Sequence, residues 1–332
     1  MMRTASRGAL VVVACLLAAG CGGTDDSAPT AQPSTEPTPS GVPATVDQDD
    51  WLSATVEIAQ PDGLAVLDGM VYVRTDEGHV VRVDGASAAV TADADVDTFN
   101  DAGHYCQGIG SDGSSLWTCS AGRDGADLVR LDPDTLEVTD RVHVDKVFDQ
   151  LTLPVVGGRV WALSGTGDRI SAVDASTGEV RTRALGRRCF QVAATPTRAY
   201  ASCFLTDEVI ALDAATLRLV GTAEVPHPVN ISVSGDDVWV SGSTGLQRLS
   251  SDLQPVATYD DLAAGPEGDL VATPDAVWVR QSAGFLFRLD PATGATTQYL
   301  IDPVPTGGSV LVTDDAVWAS AYNDNVVYRI IP

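Results

Sequence analysis

The chain has 332 residues, of which 45 are Asp or Glu and 20 are Lys or Arg, and its formal net charge at pH 7 is −25. A surface this acidic repels phosphate backbones and anionic lipid headgroups, so nucleic-acid binding is disfavoured. The same charge keeps an exported protein soluble without implying any particular partner.

Residues 1–20 have the pattern of a signal peptide: Arg3 and Arg7 precede an apolar run that is too short to span a membrane comfortably. The run ends in Leu17-Ala-Ala-Gly-Cys21, which resembles the lipobox of bacterial lipoproteins. The resemblance implies that the signal is removed, that the formal charge becomes −27, and that acylated Cys21 is the only membrane contact, on the extracytoplasmic face of the cell membrane. An ordinary secretory signal followed by a chance cysteine is the alternative.

Residues 21–48 are rich in Thr, Ser, Pro, Ala and Gly and contain almost no large apolar side chains. Such a segment cannot bury enough surface to offset the entropy lost on ordering it. We therefore expect a disordered tether over 21–48 and a folded domain over 49–332.

The folded domain contains seven copies of one unit, each centred on an aromatic residue, at intervals of 45, 44, 39, 39, 39 and 40 residues. The seven aromatic residues are Tyr72, Trp117, Trp161, Tyr200, Trp239, Trp278 and Trp318. A period near forty with several short strand patterns per copy is typical of a β-propeller. We predict an all-β, seven-bladed β-propeller whose blades have four strands, named A to D from the channel outward.

The position eight residues before each central aromatic is apolar in every copy, which predicts a buried site in strand A. These residues are Leu64, Ile109, Leu153, Val192, Ile231, Leu270 and Val310.

The acidic pairs Asp236-Asp237 and Asp314-Asp315 then fall at A–B hairpin turns, an interpretation preferred to metal binding. An aspartate that ends strand C recurs in five copies, as Asp84, Asp132, Asp174, Asp213 and Asp290, where its side chain can accept N–H groups of the following turn. This is a structural role rather than a catalytic one.

The seventh copy ends with its strand C, whereas Trp51–Ala59 is a strand pattern with no repeat of its own. We predict that this N-terminal strand becomes the outer strand of blade seven and closes the ring, which removes exposed sheet edges.

Four cysteines lie near two of the central aromatic residues. Cys106 and Cys189 come eleven residues before Trp117 and Tyr200, and Cys119 and Cys203 follow those aromatic residues by two and three positions. An A–B hairpin would bring each pair together, so we predict the disulfides Cys106–Cys119 and Cys189–Cys203, as suits an exported protein.

The pattern Val277-Trp-Val, a polar loop and an apolar strand ending in Asp290-Pro-Ala-Thr-Gly resembles the YVTN-type propellers, a family of exported seven-bladed proteins. It resembles the streptogramin lyase group more loosely. The likeness covers residues 51–332 and implies a fold rather than an activity. Val180 and Thr296 stand where quinoprotein dehydrogenases usually have tryptophan, which disfavours a quinone cofactor.

Propellers usually bind ligands on the loops from strand D of one blade to strand A of the next. The candidate ligand-binding residues in these loops are His104, Arg187, Arg188, His227, Asn230 and Asp269. The two arginines would receive an anionic group, and the histidines would be hydrogen-bonding groups. Alternatively, these side chains satisfy one another, neighbouring carboxylates and solvent.

These features predict a monomeric, lipid-anchored extracytoplasmic module that binds an unknown protein or small-molecule ligand. The first alternative is a metal-dependent lyase or hydrolase with its site in the channel, as in the streptogramin lyase group, and a structural role in an envelope assembly is a third. A lyase needs a histidine and carboxylates for a divalent cation, but His104 and His227 lie in different blades and share no local motif. No catalytic residue and no cofactor are predicted, and binding of a divalent cation in the channel is kept as an alternative.

Overall fold

Seven antiparallel sheets follow one another along the chain and form the blades of a ring. The computed structural model describes residues 43–96, 107–122, 125–144, 152–265, 268–281, 285–301 and 307–332, all within the unit Glu36–Pro332. The predicted all-β, seven-bladed propeller is thereby confirmed.

Three short elements precede the first blade: β1 (Ala44–Val46), the helical turn α1 (Gln48–Trp51) and β2 (Leu52–Glu57). The strands of blades one to three are β3 (Pro61–Leu67), β4 (Met70–Thr75), β5 (His79–Asp84), β6 (Val90–Asp95); β7 (Ile109–Ser111), β8 (Leu116–Gly122), β9 (Gly125–Leu131), β10 (Val138–Val144); and β11 (Val155–Val156), β12 (Arg159–Leu163), β13 (Arg169–Asp174), β14 (Val180–Ala184).

The strands of blades four and five are β15 (Gln191–Ala194), β16 (Arg198–Cys203), β17 (Glu208–Asp213), β18 (Leu219–Glu224); and β19 (Asn230–Ser234), β20 (Asp237–Gly242), β21 (Gly245–Ser250), β22 (Pro255–Tyr259). Blade six contains β23 (Asp269–Ala272), β24 (Val277–Gln281), β25 (Phe285–Leu289), β26 (Thr296–Tyr299). Blade seven contains β27 (Val310–Val312), β28 (Val317–Ala321) and β29 (Val326–Ile330), with a 3₁₀ turn at Tyr322–Asp324.

The core lies between blades and uses the positions that recur in the sequence. The apolar residue eight positions before each central aromatic is at most 6% exposed in all seven copies, and the aromatic residues themselves are at most 2% exposed. The residue after each apolar position pairs across strands with the aromatic, as Ala65 does with Tyr72 and Ala193 with Tyr200. Where this residue is small, as at Ala65, Gly110, Ala193 and Ser232, it leaves room for the large ring in the inner hairpin.

The five aspartates that end strand C each accept N–H groups from the turn that follows, as predicted. Asp174, for example, accepts the N–H groups of Ser176 and Thr177 at 2.9 Å. The Ser176 hydroxyl donates to the same carboxylate at 2.6 Å and is the largest cause that lowers the pKa of Asp174 to about 2. Hydroxyl and backbone N–H donors of these turns favour the charged carboxylate and lower the pKa of all five aspartates. The paired carboxylates at 236–237 and 314–315 also lie at A–B hairpin turns. The Asp237 carboxylate forms an ion pair with the Arg248 guanidinium at 2.8 Å, and Asp315 does the same with Arg329.

The predicted closure of the ring is present. Strand β2 pairs antiparallel with β29, from Leu52 opposite Ile330 to Glu57 opposite Val326, and becomes the outer strand of blade seven. The first and last parts of the folded domain are therefore joined in one sheet, so that blade seven has its four strands.

A strand lies within the range that the sequence predicted to be a tether. Strand β1 lies inside the range 21–48 and pairs in parallel with β26, so that blade six has a fifth strand. Trp51 is buried beside this strand: its Nε1–H donates to the Val46 carbonyl at 3.2 Å, and its ring packs against Phe285. Backbone pairing with an open sheet edge does not depend on side-chain hydrophobicity, which explains why composition did not reveal β1. Residues 21–42 of the predicted tether lie outside the described residues.

Candidate functional site

Two kinds of connection meet at one end of every blade. Because neighbouring strands run antiparallel, the D-to-A loops and the B-to-C turns lie at the same end, and the A-to-B and C-to-D turns lie at the other. We call the first end the loop face; in blade four it consists of residues 185–190 and 204–207. The predicted ligand-binding residues that the structure describes belong to D-to-A loops or are the first residue of strand A.

The first residue of the inner strand is polar and buried in blades four, five and six. Gln191, Asn230 and Asp269 are 3%, 2% and 0% exposed. The side chain of Gln191 accepts the Ile231 N–H at 2.7 Å and donates to the Thr152 hydroxyl at 3.1 Å. It therefore connects blade four to blade five through a buried hydrogen bond and to blade three through a partly buried one.

Asn230 and Asp269 make connections of the same kind. The Asn230 amide donates to the Gly265 carbonyl at 2.9 Å. The Asp269 carboxyl accepts the N–H groups of Leu270 at 2.8 Å and Val310 at 3.0 Å, so it joins blade six to blade seven. Burial raises the pKa of Asp269 to about 6, although the accepted N–H groups act in the opposite direction.

Strand B supplies a second row of interblade contacts. The guanidinium of Arg280 is fully buried, lies 4.7 Å from the centre of the Phe285 ring, and donates to the carbonyls of Gly307 at 2.9 Å and Ser320 at 3.2 Å. Burial lowers its pKa to about 10. The Ser320 hydroxyl in turn donates to the Asp62 carbonyl of blade one at 2.9 Å. We call Gln191, Asn230, Asp269, Arg280 and Ser320 the polar layer, because their hydrogen bonds hold neighbouring blades together.

The other predicted residues lie on the surface of the loop face. Arg187 pairs with Glu208, and the exposed imidazole Nδ1 of His227 lies 3.2 Å from the Asp207 carboxylate. The Asp207 carboxylate also accepts the His227 N–H at 2.8 Å, which fixes the turn in which His227 has a φ of 46°.

Arg188 is exposed and differs from Arg187 in its contacts. Its Nε–H donates to the Thr166 carbonyl at 3.0 Å, and within the described part of the chain it makes no ion pair. The structure thus divides the described residues among them into a buried pair, Asn230 and Asp269, and a surface group that contains the partly buried Arg187 and the exposed Arg188 and His227. His104 lies outside the described residues.

The predicted disulfide Cys189–Cys203 is present and joins the D-to-A loop before blade four to the end of β16. Cys119 is also disulfide-bonded. Cys106, its predicted partner, lies outside the described residues, as does the predicted lipidation site Cys21.

The disulfide is adjacent to an apolar patch that sequence reasoning missed. Phe190 and Phe204 follow the two cysteines, are half-buried, and meet edge to face with ring centroids 6.2 Å apart. Leu205, the next residue, is 57% exposed. We call Phe190, Phe204 and Leu205 the blade-four patch. The only signal in the sequence was the repetition of a Cys-Phe pair at both ends of one hairpin.

A surface cavity of about 200 Å³ lies away from these residues, where the end of β2 meets blade one. Its lining includes Glu57, Glu77, His79 and Asp93, and the His79 imidazole lies 2.8 Å from the Asp93 carboxylate. None of the predicted ligand-binding residues lines this cavity. Across the described ranges, no three His, Cys, Asp or Glu side chains are grouped so as to hold a metal ion, and no helix there is long and apolar enough to cross a membrane.

Comparison with known proteins shows a similarity of fold and none of sequence family. No protein-family model and no curated protein matches the sequence. BamB from Moraxella catarrhalis is 15% identical, with a TM-score of 0.56 over 81% of this chain and 84% of that chain. The Pan2 WD40 domain from Neurospora crassa is 11% identical, with a TM-score of 0.68 over 87% of this chain and 98% of that domain. This chain is therefore similar in fold to both solved structures, in agreement with its ring of seven sheets.

Proposed function

We propose that this chain is a monomeric, lipid-anchored propeller of the YVTN type that binds another protein through its loop face, on the extracytoplasmic side of the cell membrane. The lipobox-like sequence ending at Cys21 supports the anchor, and the Val-Trp-Val and Asp-Pro-x-Thr-Gly patterns support the family. The observation that carries protein binding is the blade-four patch, which exposes apolar surface beside a disulfide.

The polar layer explains why the surface of the loop face is the better binding site. Gln191, Asn230 and Asp269 already make hydrogen bonds to neighbouring blades. A ligand at these groups would have to replace buried bonds, which costs roughly 1–3 kcal/mol for each group left unpaired. The blade-four patch carries no such cost, because its apolar atoms lose only contact with water when they are covered. No observation in the described ranges favours the lyase or hydrolase alternative.

Photo-crosslinking in intact cells tests the proposal. The only lysine is Lys146, so amine-reactive reagents are poorly suited, and a genetically encoded photo-crosslinking residue is placed instead at exposed positions. Thr206 lies in a B-to-C turn of the loop face, and Asp236 lies in an A-to-B turn at the opposite end. We expect a discrete protein adduct from position 206 and none from position 236. Equal adducts from both positions, or none from any loop-face position, would exclude binding through the loop face.

Lipidation is tested separately by metabolic labelling with an alkynyl fatty acid. The wild-type chain should incorporate the label and fractionate with membranes, and Cys21→Ser should do neither. Cys15→Ser is the matched control, because Cys15 lies within the predicted signal, and it should behave as wild type. Label retained by Cys21→Ser would refute the anchor and leave the protein-binding proposal to its own test.

A further inference from the structure

The blade-four patch has the composition of a binding anchor. A single exposed leucine is ordinary on a protein surface. Here, however, the exposed Leu205 follows Phe204, whose ring contacts Phe190, so two half-buried aromatic residues and one exposed aliphatic residue lie in two adjoining connections of the loop face. Aromatic residues are enriched at the centres of protein interfaces, where few side chains contribute most of the binding energy.

The patch is held from both sides. The Cys189–Cys203 bond joins the residues immediately before Phe190 and Phe204. The Phe190 N–H donates to the Ser202 carbonyl at 2.7 Å, and the Thr206 N–H donates to the Cys203 carbonyl at 3.2 Å. A surface ordered in this way loses little conformational entropy when a partner binds, which favours affinity.

The charges around the patch differ from those of the whole chain. Arg187 and Glu208 form one ion pair, and His227 lies beside Asp207. Asp168 is also near, because its carboxylate accepts the hydroxyl of Thr166, whose carbonyl binds Arg188. With Arg188 and Asp168, this rim has two arginines and three carboxylates, so its formal charge is −1 when His227 is neutral, whereas the chain carries −25. An anionic group therefore meets less repulsion here than over most of the surface.

Arg188 can receive such a group directly. Its guanidinium is positioned through the Nε–H bond to the Thr166 carbonyl, and it makes no ion pair in the portion of the chain that the structure covers. A guanidinium presents paired donors that match the two oxygens of a carboxylate.

We propose that the blade-four patch and Arg188 together bind an extended segment of a partner protein in which an aliphatic or aromatic residue lies close to an Asp or Glu. The apolar residue packs against Leu205 and the two phenylalanines, and the carboxylate accepts hydrogen bonds from Arg188. This inference rests on the proposed protein-binding function and assigns that function its place and the chemistry of its partner.

Selection from a display library of short random peptides on the purified full-length protein tests the chemistry. Selected peptides should pair an apolar residue with Asp or Glu within a few positions. A synthetic peptide with the selected consensus is then titrated against variants by fluorescence anisotropy. Leu205→Asp and Arg188→Glu should each weaken binding about tenfold or more, as for central interface residues.

Two matched controls lie on the same blade. Val220 is 54% exposed on β18, and Arg218 is exposed in the turn between β17 and β18, at the end opposite to the loop face. Val220→Asp and Arg218→Glu repeat the same charge changes and should leave binding within about twofold of wild type. Circular dichroism checks the fold of all four variants, and Leu205→Ser replaces Leu205→Asp if the latter is less stable.

Several results would overturn the inference. These are the absence of any enriched peptide, enrichment without acidic residues, and equal binding by the patch variants and the controls.

Self-association lost in Leu205→Asp would identify a second copy of the chain as the occupant instead, and binding of phosphatidylcholine vesicles through Leu205 would identify a membrane surface. A protein adduct from position 206 that persists in Leu205→Asp would refute this site while the proposed function survives. Absence of any loop-face adduct from the wild type would refute the function itself.

Discussion

Replacing Trp51 by alanine should destabilise the whole ring. Trp51 is 2% exposed, and its ring lies 5.8 Å from Phe285 and 5.7 Å from Tyr299. Burying an aromatic side chain removes roughly 150–250 Å² from water, which corresponds to an upper limit of about 4–6 kcal/mol at about 25 cal/mol per Å². Large-to-small replacements of buried tryptophan cost about 3–5 kcal/mol. We therefore expect Trp51→Ala to lower the free energy of unfolding by about 3–5 kcal/mol.

The position of Trp51 makes this loss relevant to ring closure. The residue lies between β1, which extends blade six, and β2, which completes blade seven. Its Nε1–H also donates to the Val46 carbonyl, so removal of the indole frees β1 as well as β2. Hydrogen exchange should then accelerate first at the amides of β1 and β2, before those of the inner strands.

Urea unfolding followed by far-UV circular dichroism measures the effect without depending on tryptophan fluorescence. Trp51→Phe keeps an aromatic ring and loses the indole N–H, so it should cost only about 1–2 kcal/mol. Val90→Ala, at a position that is 50% exposed, is a surface control and should change stability by less than about 0.5 kcal/mol. A loss below about 1 kcal/mol for Trp51→Ala, with exchange in β2 unchanged, would refute the reasoning.

Three further predictions concern titration and the disulfide. Asp174 has a lowered pKa of about 2, so its charge stabilises the fold above the unfolded pKa near 4, and this contribution is lost as the pH falls through about 2. Asp174→Asn should lower the urea midpoint at pH 7 and should lower it less at pH 2, where about half of the folded chains carry a protonated Asp174. Asp269 has a raised pKa of about 6, so between about pH 4 and 6 the folded state binds a proton that the unfolded state does not. The free energy of unfolding should therefore fall as the pH rises through this range. Asp269→Asn should flatten this dependence of stability on pH, and an unchanged dependence would assign the titration to another group. Replacing both Cys189 and Cys203 by serine should cost about 3 kcal/mol on the chain-entropy estimate, whereas an unchanged urea midpoint would show that the bond does not stabilise the ring.

The framework was predictable because every blade has to satisfy the same packing conditions. A residue eight positions before the central aromatic contacts the neighbouring blade in each copy, so it must be apolar each time, and all seven such residues are buried. The turn aspartates recur for the same reason, since each C-to-D turn exposes the same N–H groups, as at Asp174 and Asp290. Repetition makes these requirements visible within one sequence.

Strand β1 was not predictable in this way, because its pairing depends on the open edge of another blade. Ala44, Thr45 and Val46 pair with Thr297, Gln298 and Tyr299 through backbone groups. Any short extended segment can form such bonds if the chain brings it to an unpaired edge. The deciding feature is the burial of Trp51 beside Phe285, and these two residues come together only in the folded ring.

The division of the candidate site follows a register that was present in the sequence but was not used. Asn230 and Asp269 immediately precede the buried apolar residue of strand A, and both are enclosed by neighbouring blades. Arg188 and His227 precede that residue by four positions and lie at the surface. The inner strand begins where the chain leaves the loop face, so the residue next to the apolar position lies between blades. Cys189 and Pro228, three positions back, are still buried, whereas Arg188 and His227, four positions back, are exposed. A polar residue next to the apolar position is therefore committed to holding blades together, and a residue four positions earlier is free to meet a partner.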